Sequence, residues 1–162
     1  SILSKLGYQG VAVTGKQDAV DFLKELGASR VISREEAVDE SGRPLLKGVW
    51  AGVVDTVGGD VLVSAIKATD LNGVVTCCGN VRSPDLPLTV FPFILRGVSL
   101  VGIDSQNCPM ERRRRIWEKL ASAWKPANLE GMCREVPLEQ LDTEIDCILK
   151  GGQKGRVVVR LG

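Results

Sequence analysis

The 162-residue chain contains no histidine, and aromatic residues make up only 4% of it. Without imidazole the commonest general base, the commonest metal ligand and every His-dependent triad are excluded. No apolar run approaches the ~20 residues that a helix needs to cross a bilayer, and no signal-peptide pattern opens the sequence. Neither sign of charge dominates: a formal net charge of +1 gives no reason to expect nucleic acid or membrane as a partner. There is no C-x-x-C pair. The five cysteines, with Cys77 and Cys78 adjacent and the rest scattered, fit reduced thiols in a cytoplasmic protein and argue against structural zinc. Any chemistry must use a borrowed cofactor or carboxylates.

What is present reads as alternating strand and helix. With 44% hydrophobic and 25% charged residues, the chain can bury the core of one domain. Ser1 to Leu6 reads as the end of an apolar helix with Gly7 at its C-cap, delivering the chain into a strand from Gly10 to Thr14. That is the second half of a βαβ unit, so the sequence is expected to enter a dinucleotide-binding motif part-way through. A helix over 18–26, a short strand 30–33, and a buried strand 49–55 with Asp55 at its end follow. Next come a helix 61–71 with Asp60 as N-cap, a turn at Asn72-Gly73 and a strand 74–78. A strand 98–103, a helix after Pro109 striped with Ile116, Trp117, Leu120 and Trp124, and a strand 132–136, helix 138–149, strand 156–161 tail complete the pattern. Such alternation predicts an α/β fold with a mostly parallel sheet and helices on both faces.

Several stretches in this order resemble the medium-chain dehydrogenase/reductase family, in its zinc-free quinone-oxidoreductase branch and acrylyl-CoA reductase group. They include Lys5-Leu6-Gly7-Tyr8-Gln9, Ala12-Val13-Thr14-Gly15-Lys16, Leu26-Gly27-Ala28-Ser29-Arg30-Val31 and Trp50-Ala51-Gly52 with Asp55-Thr56-Val57-Gly58. Cys78-Gly79-Asn80, Pro92 to Val98, Gly102-Ile103-Asp104-Ser105 and Gly155-Arg156-Val157-Val158-Val159 continue the set. The resemblance implies an incomplete Rossmann fold, NADP-binding, over residues 1–126, and a C-terminal strand–helix–strand over 127–162 that returns to the catalytic domain. It also implies that the catalytic domain, the first Rossmann strand and the Gly-rich turn are not in these residues. The implied reaction is hydride transfer from NADPH to an activated carbon–carbon double bond.

The end of the second Rossmann strand selects the cofactor, since an acid there would repel the 2′-phosphate of NADP(H). Here Thr14-Gly15-Lys16 brings a hydroxyl, bare backbone and a cation, and no acid comes before Asp18. By resemblance Thr14, Gly15, Lys16 and Arg30 hold that phosphate, with Arg30 as a forked cation. The plain alternative is that Lys16 is a solvated helix-opening residue and Arg30 a loop residue. Asn80 follows a strand, where open α/β sheets place ligands. By resemblance Asn80 and Ile94 line the nicotinamide end with Ser105 nearby; a turn residue and a core residue are the plain readings of the first two. Arg156, with Lys154, matches the stretch that approaches the cofactor from the C-terminal side. No catalytic residue and no metal site is assigned.

Gly58-Gly59-Asp60 is no G-x-G-x-x-G and reads as a tight βα turn. The run Arg112-Arg113-Arg114-Arg115 fans around a helix and reads as a solvated face, and Trp50, Trp117 and Trp124 read as packing. Without a central first strand, two rows of backbone groups would lack partners, so the sheet is expected to be repaired. The strands at 10–14 and 49–55 could pair directly, Val157-Val158-Val159 could fill the slot, or a second molecule could donate a strand. A homodimer is therefore expected, by strand swap or through the Val98–Ile103 edge. The alternative function is a gene-fragment protein folded as a small dimeric α/β module with a structural or binding role.

Overall fold

A computed structural model describes residues 1–161. The chain forms two compact units: residues 1–12, 16–31 and 111–162 make the first, and residues 13–15 and 32–110 the second. The 126/127 boundary expected from family resemblance is a different partition, one of ancestry and not of packing.

In the first unit, helix α1 (Ile2–Lys5) ends at Gly7 with φ +84°, and strand β1 (Gly10–Val13) follows. A 3-10 turn at Gln17–Ala19 leads into α2 (Val20–Glu25), which stops at Gly27, φ +101°. Glycine is favoured at both stops because a side chain is strained there. Strand β2 (Ala28–Ile32) pairs with β1 in a two-stranded sheet, the last residue of each strand falling in the second unit.

The second unit opens with α3 (Arg34–Ala37), then β3 (Trp50–Asp55), α4 (Gly59–Lys67), β4 (Thr69–Cys77), α5 (Phe91–Arg96) and β5 (Ser99–Gly102). The strands β3, β4 and β5 form one parallel sheet, and α4 and α5 make the crossovers that parallel strands require. Leu62 and Ile66 of α4 close on Val75 of β4 and on Val98, and Phe93 and Leu100 pack against that cluster. Two expectations are corrected here. Helix α4 ends at Lys67, not Leu71, and its N-cap is Gly58; Asp60 instead pairs with Arg82. Asn72-Gly73 is no simple helix-to-strand turn, because β4 has already begun. Register runs from Trp50↔Thr69 to Gly52↔Val74, so the residues between are squeezed out as a bulge, with Asn72 at φ 56°.

One side chain ties this unit's irregular segment down. The Arg96 guanidinium donates to the carbonyls of Lys67 (3.1 Å) and Thr69 (2.9 Å), and also to that of Leu46. Beside it Lys67 donates to Asp39 at 2.5 Å, with both side chains largely buried.

The C-terminal part of the first unit holds α6 (Met110–Ala121, its first residue counted with the second unit), β6 (Cys133–Pro137), a 3-10 turn at Leu138–Gln140, α7 (Leu141–Leu149) and β7 (Arg156–Arg160). The α6 stripe does not form core: Trp117 is 64% exposed and Ile116 41% exposed. Strands β6 and β7 pair in parallel, Val136 opposite Val159.

Repair of the sheet within the chain is not observed. Among the described residues β1 pairs with β2, β3 with β4, and β7 with β6. The nearby α7 crossover brings β7 to β6 at a far smaller loop-closure cost than a slot beside distant strands would carry. Burial alternates along β7, so it is a half-buried strand and not one covered on both faces.

Candidate functional site

The exit of β1 is fixed by backbone bonding. Thr14 N–H donates to the Ile32 carbonyl at 3.1 Å, so Thr14 continues the β1–β2 pairing one residue past the strand. At Gly15 a Cβ would lie 3.2 Å from Arg34 Nε and 3.3 Å from its Cδ and Cζ. The Arg34 side chain therefore lies across the bare glycine backbone. Its position follows from a capping box: Glu36 N–H donates to Ser33 Oγ (3.1 Å), and Ser33 N–H to Glu36 Oε2 (2.7 Å). Arg34 is thereby the first residue of α3. The neighbouring Glu35 carboxyl is held below the usual carboxylate range, first by the Ser33 hydroxyl and also by the charges of Arg34 and Arg82.

Within the first unit, Lys16 Nζ donates to the Gln153 carbonyl. Lys154 Nζ donates to the Asp18 carbonyl at 3.3 Å and lies 3.8 Å from its carboxylate. The first acid after β1 thus faces a cation. Arg30 is the third residue of five in β2 and exposed, short of the strand end where ligands gather. Arg156 opens β7, donates to the Gly155 carbonyl at 3.1 Å, and with Lys154, Arg134 and Phe22 lines a cavity of about 120 Å³.

Within the second unit, the turns after β3 and β4 touch backbone to backbone. A Cβ on Gly79 would lie 2.3 Å from the Thr56 carbonyl oxygen. One on Gly58, φ +73°, would lie 2.3 Å from the Ser83 oxygen and 3.2 Å from Asn80 Cα. Only glycine permits either approach. Buried Asp55 accepts from the N–H groups of Val57 (3.2 Å) and Gly58 (3.0 Å) and so fixes the first turn. Asn80 is held exposed at these strand ends. Ile94 on α5 is 68% exposed, so its core reading fails. Ser105 is exposed in the segment after β5, where Asp104 accepts from Asn107 N–H (3.1 Å) and Nδ2 (2.6 Å).

Thr14 and Gly15 are thus brought to Arg34, and Lys16 to the Gln153–Lys154 segment, while Ile94 and Ser105 sit on separate elements. Arg34 is the residue that reading for cations near β1 passed over. The Ser33-x-x-Glu36 spacing just after a strand was the available signal. Elsewhere Arg115 pairs with Glu111 one helical turn away, and Lys119 Nζ lies 4.7 Å from the Trp124 ring centroid. No helix among the described residues is long and apolar enough to cross a membrane, and none of their Cys, Asp or Glu side chains gather as a metal site. A zinc site therefore has no fitting donor set among them.

The chain is 46% identical over 162 residues to YhfP of Bacillus subtilis, whose name places it among quinone oxidoreductases. It is 42% identical over 159 residues to the acrylyl-CoA reductase AcuI of Ruegeria pomeroyi, covering 98% of this chain and 48% of that protein. Among solved structures, YhfP with NAD bound superposes with a TM-score of 0.93 over 99% of this chain and 49% of that one. Escherichia coli YhdH with bound NADPH superposes with a TM-score of 0.92 at 40% identity, covering 99% of this chain and 49% of that one. The chain spans about half the length of the curated relatives it matches. The fold is accordingly that of the nucleotide-binding Rossmann-type domains of these enzymes. A family model described as zinc-binding dehydrogenase matches residues 1–122, and the chain belongs to that family.

Proposed function

We propose that this chain is the NADPH-binding portion of a quinone-oxidoreductase-like, acrylyl-CoA-reductase-like enzyme. The reaction class is hydride transfer to an activated carbon–carbon double bond, the bound nicotinamide supplying the hydride. One observation carries the reading: the β1 exit offers Thr14, bare Gly15 and Lys16 and no acid, with Asp18 facing Lys154. A carboxylate at that exit would favour the ribose hydroxyls of NAD and repel a 2′-phosphate. Both NAD and NADPH occur in the solved relatives, so local chemistry decides between them. Asn80, Ile94 and Ser105 are proposed for the nicotinamide end, and Arg156 for the approach from the C-terminal segment.

Residues 127–162 are proposed to return to a catalytic portion that corresponds to the unmatched half of the relatives. The groups that orient the acyl substrate would lie there, and these residues alone would turn over little or nothing. A homodimer is proposed, by strand exchange or by β5 edges joining in one sheet. Sedimentation equilibrium at a single protomer mass would exclude it.

Calorimetric titration with NADPH tests the cofactor reading. Micromolar binding is expected, lost in Lys16→Glu while the circular dichroism stays native. Unchanged affinity in that variant would show the clamp to be misassigned. No binding by the parent chain would favour a structural or binding module instead.

A further inference from the structure

We infer that Arg34, rather than Arg30, is the forked cation that receives the 2′-phosphate of NADP, and so determines specificity against NAD. The inference rests on the cofactor reading of the β1 exit. Four features point to Arg34. It stands immediately after β2, at the end of the strand where ligands sit, whereas Arg30 lies inside the strand. Its side chain already lies across Gly15, with Nε and Cζ 3.2 and 3.3 Å from where a Cβ would be, so the guanidinium is at the bare backbone that a phosphate could approach.

Its acidic neighbours leave it available. Glu36 is engaged by the Ser33 N–H and Glu35 by the Ser33 hydroxyl, and among the described residues no ion pair or side-chain hydrogen bond is made by Arg34. Finally, the capping box fixes the backbone from which it projects, so its fork is held at the strand exit before any ligand arrives. A planar guanidinium can give two parallel N–H bonds to one phosphate, which a 2′-hydroxyl cannot accept in the same way.

The test compares 2′,5′-ADP, the part of NADP that carries the extra phosphate, with 5′-AMP, by calorimetry on the full chain. Arg34→Gln is expected to weaken 2′,5′-ADP about tenfold or more and 5′-AMP by less than about twofold. Arg34→Lys, which keeps the charge and loses the fork, should fall between the two. Arg30→Gln is the rival variant. If it, and not Arg34→Gln, removes the preference for 2′,5′-ADP, the inference is wrong. Equal weakening of both ligands by Arg34→Gln would assign the guanidinium to the adenine face and also overturn it. Arg34 is exposed and makes no side-chain hydrogen bond, so its variants are expected to melt with the parent.

Lys16→Gln separates this inference from the reading beneath it. Loss of 2′,5′-ADP in Lys16→Gln with none in Arg34→Gln sinks only the role of Arg34. No effect of Lys16→Gln, or no binding of 2′,5′-ADP by the parent, sinks both.

Discussion

In the second unit Leu62, Ile66, Val75 and Val98 close around one another between a three-stranded sheet and its crossover helices, whereas in the first unit Ala19 and Val136 are the buried apolar residues among those described. The two units use similar pieces: short parallel strands, amphipathic helices and glycine stops. They differ in how many strands lie side by side. Three strands give α4 a face broad enough to cover Ile66 completely, while the two-stranded β6–β7 sheet leaves Ile148 and Leu149 of α7 55% and 78% exposed. Parallel sheets owe their stability to coverage on their faces, so a two-stranded one has little to offer a helix. Cohesion here is set by sheet width more than by the apolar content of any one element.

That contrast can be broken by cutting into each core. Ile66→Ala removes a side chain with no exposed surface, and is expected to cost about 2–5 kcal/mol by urea unfolding. Val136→Ala, at 4% exposure in the first unit, removes fewer methyl groups from looser surroundings and should cost about 1–2 kcal/mol. Equal losses would show the first unit to be as tightly packed as the second. Hydrogen exchange sharpens the comparison: amides of β4 should outlast those of β7, and the reverse order would refute it.

A smaller, pH-dependent effect belongs to the second unit alone. Bonding by the Lys67 ammonium, then by Ser41, lowers the Asp39 carboxyl from 3.8 to about 2. A depressed folded-state value stabilises the fold above the unfolded-state pKa. That contribution is expected to fade as pH falls from about 4 towards 2. Asp39→Asn should flatten this part of the acid-stability profile and lower stability at neutral pH. An unchanged profile between pH 4 and 2 would mean that the pair contributes nothing.

Local patterns were readable and long-range pairings were not. The run from Val49 to Asp55 announced β3 by its continuous apolar character and terminal acid, and Gly7 and Gly27 announced helix stops by their freedom at positive φ. The start of β4 was missed because Thr69 and Asp70 continue the helical spacing of α4, and the bulge at Asn72 looks, in sequence, like any turn. Ile94 misled because apolarity signals burial only when something covers it. At the candidate site Thr14, Gly15 and Lys16 could be singled out from one strand's end. Arg34 could not, since its place over Gly15 depends on how β1 and β2 lie together and on a cap three residues long. The division into units was equally hidden, because each is assembled from separated stretches of chain.

Arg96 has a consequence for how this architecture can change. Residues 38–49 form no helix or strand, yet Leu46 within them shares one guanidinium with the carbonyls that bracket the end of α4. Such a stretch would ordinarily absorb insertions freely; here a single added residue between Leu46 and Trp50 would drag an anchored carbonyl out of reach. The connection is structureless in form but rigid in length, more a measured strut than a slack tether.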